Sequence, residues 1–477
     1  MAQVTHRNSL TSKVLKALSL FTGIECLNML CAVVRTKLIA LWIGTAGVGI
    51  ISLLNSNLEL LRSILFLNLN QSAVQKIASA KGNDQSIAIS ATSFLGIALG
   101  VVAAILVAAC SPLLSIWVFG HNSYTWAFAI LAVTMCTGAI SSARTAILRS
   151  TNRLRQLARA TLFASITSTA AAIPLIYFWR MQAIVPVLII FAISQMVFLL
   201  LPSLHIPKCK FSTLQPHLKP ILKLGLGITV AMSAPLLADQ LIRIYIHTHS
   251  GIEAVGIFQA GYTIVNTYIG VIFTAISMEY YPRLSSVARS QLKARTVVAH
   301  EISVVLWILL PIVILFLSAD SLVVNILFSE QFHQSLPYIS MAIAGTALRA
   351  ASWCMAYMIL ARGDSLAYIF TEISSAAVLF VASIVCFNQW SYAGLGIAYS
   401  IQFLAYTLLT ATVCRYRYRL HLPRRIWGLI LLTTATVIAA IAAKAYIAWW
   451  TPLLLLPAIL PATLHHLNPR RGAPHKP

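Results

Sequence analysis

The chain has 477 residues, of which 59% are hydrophobic and 9% are charged, with 34 Lys and Arg against 11 Asp and Glu. Soluble domains carry about 25% charged residues, so this composition excludes an ordinary soluble globular protein and favours a polytopic membrane protein. The net charge of +23 would suggest nucleic acid in a soluble chain. Here we expect the basic residues to lie in loops beside anionic lipid, and we expect no nucleic acid partner.

Apolar runs predict about fourteen membrane-spanning helices, because each run approaches the ~20 residues that cross a bilayer. The last two runs are separated by Lys444 and Ala445, so they could instead form one long broken helix. The predicted fold class is an all-α integral membrane protein. In chain order the predicted spans are 15–36, 47–70, 87–111, 124–146, 158–178, 182–202, 222–246, 254–280, 297–318, 336–360, 366–387, 391–413, 426–443 and 446–464.

The basic residues fall in every second gap between these spans. Lys76 and Lys81 follow the second span, for example, whereas the intervening gaps hold little Lys or Arg beyond Arg180 and Lys444. Cytoplasmic loops of membrane proteins carry such an excess of Lys and Arg. The alternation therefore predicts that both termini are cytoplasmic, and the first span is interpreted as a retained helix rather than a signal peptide.

The two halves of the chain resemble each other. With a shift of 207 residues, Gly44 aligns with Gly251 and Lys76 aligns with Arg283. Six spans per unit give both units the same orientation, so the pattern predicts a pseudo-two-fold axis along the membrane normal and a central cavity between two bundles. The predicted organisation is an N-terminal six-helix bundle, a cytoplasmic linker, a C-terminal six-helix bundle, and appended helices 13 and 14 with a basic tail; the boundaries are 1–202, 203–221, 222–413 and 414–477.

Three stretches carry a resemblance to a known family. They are VRTKLIALWIGTAGVG at 34–49, GIEAVGIFQA at 251–260 and YYPRLS at 280–285. The chain resembles the Wzx-type flippases, which are bacterial O-antigen and common-antigen translocases in the polysaccharide branch of the multidrug/oligosaccharidyl-lipid/polysaccharide exporter superfamily. The resemblance implies transport of an undecaprenyl-pyrophosphate-linked oligosaccharide across the bacterial inner membrane. It also implies a polysaccharide polymerase and a chain-length regulator as possible partners.

Charges within spans are costly, at least ~2.5–3.5 kcal/mol at mid-helix, so each one needs a reason. An arginine suits phosphate because its planar fork donates two parallel hydrogen bonds. Arg349 has no acid within one turn, and either Glu372 from the next span or a substrate phosphate could pair with it. The expected substrate-binding residues are Arg62, Arg243, Arg349 and Arg35.

Acidic residues within spans are candidates for ion coupling or gating. Asp239 lies four residues before Arg243 and thus on the same helix face, one turn after Pro235, which should bend the seventh span. Asp239 could be a protonatable site, could position Arg243, or could form a structural ion pair with it. Glu59 could similarly pair with Arg62, three residues on. The candidate coupling or gating residues are Glu25, Asp239, Glu59 and Glu372.

Motifs for catalysis and for cofactors are absent from the sequence. It has no C-x-x-C pair, no H-E-x-x-H and no P-loop, so we expect no metal, no cofactor and no enzymatic activity. The expected function is a flippase for lipid-linked oligosaccharide that works by alternating access. The alternative is a cation-coupled multidrug exporter of the same superfamily, whose cavity should be acidic and aromatic because it must attract cations.

Overall fold

The computed structural model describes residues 27–202, 211–448 and 450–467, and these ranges form helices joined by short turns, without a strand. The predicted all-α fold class is therefore confirmed. In the described residues, eight helical segments are long and apolar enough to cross a membrane, or nine if one bent pair counts as a single span. Glu25 and part of the first predicted span lie outside the described residues.

The chain divides into two compact units. Unit 1 comprises Met1–Leu236 and Ile246–Val255, and unit 2 comprises Leu237–Tyr245 and Gly256–Pro477. The helices of unit 1 are α1 (27–42), α2 (Gly44–Leu65), α3 (Leu69–Ser79), α4 (Asn83–Ala109), α5 (Ser111–Phe119), α6 (Thr125–Ser150), α7 (Leu154–Trp179), α8 (Ile184–Leu200) and the first part of α9 (Phe211–Tyr262).

In unit 2, the end of α9 is followed by a π-helical turn at Thr263–Tyr268. Its last two helices correspond to predicted spans 13 and 14, and they are separated by a 3₁₀ turn at Thr451–Leu455. The helices of unit 2 after the π-turn are α10 (Ile269–Val287), α11 (Gln291–Leu327), α12 (Leu336–Ala344), α13 (Thr346–Ala361), α14 (Ser365–Tyr418), α15 (Arg424–Tyr446) and α16 (Leu456–Leu467).

Helix α14 contains two predicted spans, and α9 contains the seventh span and the beginning of the eighth. A straight helix with the 54 residues of α14 would be about 80 Å long, far more than the ~30 Å hydrocarbon core of a bilayer. Non-helical dihedral angles at Trp390 and Ser391 divide α14 between the eleventh and twelfth predicted spans. Gly251 divides α9 in the same way, with φ 84° and ψ 177°, a conformation essentially confined to glycine.

The internal repeat extends to the backbone conformation. Positive φ angles occur at equivalent junctions between helices in the two halves. The backbone therefore turns with a similar, uncommon φ at each member of a pair. Three such pairs are Gly44 and Gly251 (82° and 84°), Asn152 and Gly363 (56° and 72°), and Arg180 and Ser391 (44° and 48°).

Small residues bring α4 and α6 of unit 1 close together. A Cβ atom placed on Gly96 would lie 2.6 Å from the Cβ of Ala143, and one on Gly100 would lie 3.0 Å from the Cβ of Ala139. Transmembrane helices use small residues at four-residue spacing for such contacts, because apolar burial drives helices together weakly in lipid. The Gly96–Gly100 stripe therefore explains how α4 packs.

The first part of α9 belongs to unit 1, although the division at residue 222 placed it in the C-terminal bundle. Helix α9 begins at Phe211, within the segment predicted to be a linker. Ser233 shares a 2.9 Å hydrogen bond with Ser63, and Asn68 donates to Thr229 at 3.3 Å. The boundary of this unit at Leu236 directly follows Pro235, and α9 changes unit again at Ile246 and at Gly256.

Asp364 ties the two ends of α14 together. Its carboxylate accepts hydrogen bonds from the Ala367 N–H at 3.2 Å and the Tyr418 hydroxyl at 2.9 Å, and it pairs with Arg417. Burial acts to raise the pKa of Asp364, but the hydrogen bonds from Tyr418, Ala367 and Arg417 outweigh it, so the pKa lies below its usual value. This carboxylate is the N-cap of α14, a position where acceptors stabilise the exposed N–H groups.

The appended helices α15 and α16 pack against α11. Lys444 of α15 forms an ion pair with Asp320 of α11, whose second carboxylate oxygen accepts from the Ser321 N–H at 2.7 Å. Thr463 of α16 donates to the carbonyl of Trp307 at 3.4 Å. The appended helices α15 and α16 are thus joined to the rest of unit 2 by polar contacts as well as by apolar packing.

Candidate functional site

Arg349 projects from the first turn of α13 and is half-buried within unit 2. Its NH1 group donates to the Tyr399 hydroxyl at 2.9 Å, and to the Val265 carbonyl and Asn266 Oδ1 at 3.3 Å each. No ion pair joins it to a carboxylate of the described residues. The guanidinium charge is therefore held by neutral oxygens, and its remaining N–H groups can donate to an anion.

The π-helical turn at Thr263–Tyr268 supplies two of the Arg349 contacts. Such turns interrupt the regular helical bonding pattern and occur frequently at functional sites. Asn266, in this turn, has a buried Nδ2 with no partner among the described residues. A buried donor without a partner costs about 1–3 kcal/mol, so a ligand oxygen bound here would satisfy both Asn266 and Arg349.

Aromatic rings surround the guanidinium and continue away from it. The Arg349 Cζ lies 5.0 Å from the ring centre of Phe273 and 5.8 Å from that of Phe403. Trp353 and Tyr357 follow Arg349 at four-residue spacing and thus on one helix face. Their ring centres lie 4.7 Å apart, and Trp353 lies 5.3 Å from Phe273. The site therefore combines a cation with a row of aromatic faces.

A second polar cluster joins the seventh and eighth spans within unit 2. Arg243 donates to Gln259 Oε1 at 3.1 and 3.0 Å and to the main-chain carbonyl of Asp239 at 2.8 Å, and its Cζ lies 4.6 Å from the ring centre of Tyr262. The Asp239 carboxylate accepts from the Tyr262 hydroxyl. Arg243 is 4% exposed, so it offers less access to a ligand than Arg349.

The structure does not pair Glu372 with Arg349, which was one of the two alternatives that the sequence left open. Instead, Glu372 Oε1 accepts from the Tyr406 hydroxyl at 2.6 Å. A tyrosine donor satisfies a buried carboxylate without a second charge, and no carboxylate of the described residues pairs with Arg349. Glu25, the remaining candidate on the first span, lies outside the described residues.

The candidate site residues in unit 1, Arg35, Arg62 and Glu59, have different surroundings. The Arg35 guanidinium lies 4.6 Å from the ring centre of Phe191. The Arg62 Nε lies beside Gly138 and is buried without a hydrogen-bond partner among the described residues. Glu59 is exposed. No described group of three or more His, Cys, Asp or Glu has the geometry of a metal site.

Sequence reasoning identified Arg349 but missed Asn266, Tyr399 and Trp353. Asn266 and Tyr399 come from different spans, and nothing in their local sequence indicates that they meet Arg349. The spacing of Arg349, Trp353 and Tyr357 was a usable signal, because residues four apart share a helix face.

The family model for "Polysaccharide biosynthesis protein" matches residues 43–337, which is more than half of the chain. The chain belongs to this family. No curated protein matches the chain. The resemblance to polysaccharide flippases noted in the sequence is thus supported at the level of the family.

Solved structures share the fold of this polysaccharide biosynthesis protein. The lipid II flippase MurJ in an inward closed conformation has a TM-score of 0.72 and 12% identity, over 94% of this chain and 97% of MurJ. An inward-facing multidrug resistance MATE transporter of the MOP superfamily gives 0.68 and 12%, over 84% and 94%. A MOP superfamily transporter from Pyrococcus furiosus, described as having a binding pocket of reversed polarity, gives 0.62 and 14%, over 87% and 96%. Identities this low establish the fold alone.

Proposed function

We propose that this protein is a flippase for undecaprenyl-pyrophosphate-linked oligosaccharide, such as an O-antigen repeat unit. It would move this lipid from the cytoplasmic to the periplasmic leaflet of the bacterial inner membrane by alternating access, with both termini in the cytoplasm. A polysaccharide polymerase and a chain-length regulator would act on the exported unit. Membership of the polysaccharide biosynthesis family supports the general assignment.

The observation that carries the proposal is the site around Arg349. A half-buried guanidinium that makes no ion pair with a carboxylate of the described residues repels cationic drugs and attracts phosphate oxygens. The unpaired Asn266 Nδ2 adds a donor for the same anion. The aromatic row of Trp353 and Tyr357 supplies electron-rich faces on which the polarised C–H groups of sugar rings can stack. A pyrophosphate joined to a saccharide matches both features.

Glycan export in cells that lack an O-antigen translocase tests the proposal. Arg349→Gln should abolish export at normal protein levels, because the anion loses its charged donor. Arg349→Lys should remain impaired, because lysine keeps the charge but lacks the fork. Arg289→Gln is the matched control, since Arg289 is exposed in the turn before α11, and it should export normally. Normal export by Arg349→Gln would refute the role of the site.

The alternative is a cation-coupled multidrug exporter. The observation that favours it is the Asp239 carboxylate, which contacts the Tyr262 hydroxyl inside the spans and could exchange an ion. Efflux of a cationic dye from the same cells distinguishes the two functions. The flippase proposal predicts no efflux above cells without the protein, whereas efflux that is lost in Asp239→Asn would support the exporter.

A further inference from the structure

A cavity lies where α14 ends and α15 begins. It has a volume of about 300 Å³. Its inner wall is apolar and includes Met355, Leu408 and Leu420, whereas Arg415 and His421 line it with polar groups. The site is thus amphipathic, and it is separate from the Arg349 site.

The loop that closes this cavity is held in place. Arg419 adopts a left-handed conformation with φ 52°, and the Leu420 N–H donates to the Cys414 carbonyl at 2.9 Å. Leu420 is buried, so it anchors the loop on the bundle. Arg417, in the last turn of α14, is fixed by its ion pair with Asp364. The cavity is therefore preformed rather than dependent on a mobile segment.

Among the described residues, Arg417 pairs with Asp364, but neither Arg415 nor His421, which line the cavity, forms an ion pair with a carboxylate. Residues 415–425 contain five arginines and one histidine and no Asp or Glu. Arg424 and Arg425 begin α15, whose first turn has no acidic residue. Cations at a helix N-terminus are unfavourable because they meet the positive end of the helix dipole. The first turn of α15 therefore does not neutralise its own two arginines.

The apolar part of the cavity continues along α14. Leu408 precedes Arg415 by two helical turns and therefore lies on the same face. Leu408 is 55% exposed, and within a membrane such a surface contacts acyl chains. Trp427 also lines the cavity, and Tyr416 is 77% exposed beside it, as is typical of aromatic side chains at the level of lipid headgroups.

We propose that this cavity binds one anionic phospholipid, with its phosphodiester at Arg415 and His421 and one acyl chain along Leu408. Basic pockets between helices at a membrane surface are suited to anionic headgroups. A zwitterionic phospholipid would bring an ammonium group into a site without a described carboxylate to receive it. The proposal does not depend on the substrate that the protein transports.

Native mass spectrometry of the full chain in detergent, with phosphatidylglycerol or phosphatidylcholine added, tests this site. We expect phosphatidylglycerol adducts to exceed phosphatidylcholine adducts. In the double variant Arg415→Gln/His421→Gln, phosphatidylglycerol binding should fall about tenfold, as expected when two charge-assisted hydrogen bonds are lost. The matched control is Arg289→Gln/His300→Gln, which removes the same two residue types at exposed positions and should bind as the native protein does.

Three outcomes would overturn the proposal. The first is equal binding of the two phospholipids by the native protein. The second is unchanged phosphatidylglycerol binding in the Arg415→Gln/His421→Gln variant, or an equal loss in the control. The third is displacement of phosphatidylglycerol by undecaprenyl pyrophosphate at equimolar concentration in the native protein, which would make the cavity a substrate site instead. Loss of phosphatidylglycerol adducts in the double variant alone supports the assignment.

Discussion

Replacing Lys444 by methionine should loosen the appended helices specifically. Asp320, its partner, is 2% exposed, so the substitution would leave a buried carboxylate without its counter-charge. Breaking a buried ion pair by removing one partner costs about 3–5 kcal/mol. The Ser321 N–H still donates to Asp320 at 2.7 Å, which retains part of the stabilisation. We therefore expect a loss near ~3 kcal/mol.

Hydrogen exchange measures where this energy is lost. The ion pair joins α15 to α11, so its loss should favour opening of α15 over opening of unit 1. A loss of ~3 kcal/mol corresponds to exchange that is on the order of 100-fold faster. Peptides from 424–446 should show this acceleration in Lys444→Met, while peptides from α6 should exchange as in the native protein.

Two further variants test whether the unpaired buried charge causes the opening of α15. Asp320→Asn combined with Lys444→Met removes both charges and should restore most of the protection, because no uncompensated charge remains buried. Lys293→Met is the control, since Lys293 is an exposed lysine of α11. Native exchange rates for α15 in Lys444→Met, or no recovery in the double variant, would show that apolar packing alone holds α15 in place.

Three other predictions concern the junctions and the site. Gly251→Ala should destabilise the protein by about 1–3 kcal/mol, because the φ of 84° at this residue is strained for alanine. Gly227→Ala should not destabilise it, because a Cβ atom at Gly227 would meet no atom within 4 Å. Thermal unfolding in detergent compares the two variants. Asp364→Asn should accelerate unfolding at pH 7, because a lowered carboxyl pKa stabilises the fold above the unfolded pKa. The difference from the native chain should begin to shrink as the pH falls below about 4 and should vanish below the lowered pKa of Asp364 in the folded state. A persistent difference at low pH, or an equal effect of Asp84→Asn, would contradict this. Trp353→Leu should reduce glycan export about tenfold through lost stacking, and Trp353→Phe should recover much of it; equal export by all three proteins would exclude a role for the ring.

The membrane class and the repeat could be predicted from the sequence because they depend on local properties. The alternation of basic and neutral gaps follows from the cost of placing charge in lipid, which acts at each segment independently. Gly44 and Gly251 aligned in the repeat because each occupies a backbone conformation that other residues rarely adopt, with φ 82° and 84°. Such constraints can be recognised from the identity of a single residue.

The candidate site depended on contacts that the sequence does not encode locally. Arg349 was recognisable as an unpaired charge on a span, but its actual neighbours come from the eighth and twelfth spans, through Asn266 and Tyr399. Glu372, on the next span, was the alternative partner, but its carboxylate accepts from the Tyr406 hydroxyl instead. Side-chain partners on separate helices are selected by helix packing, which composition and periodicity do not specify.

The amino-acid sequence by itself determined that this chain is a helical membrane protein built from two related halves. Apolar runs long enough to cross a bilayer, the excess of basic residues in alternate gaps and the alignment of Gly44 with Gly251 are all local features of the sequence. The tertiary structure alone decided which charges are compensated. Lys444 forms an ion pair with Asp320, and Arg243 contacts Gln259 and Tyr262. Arg349 contacts neutral oxygens and aromatic rings. The reason is physical: an isolated helix sets the face on which a charge lies, but the packing of helices against one another sets what that charge meets.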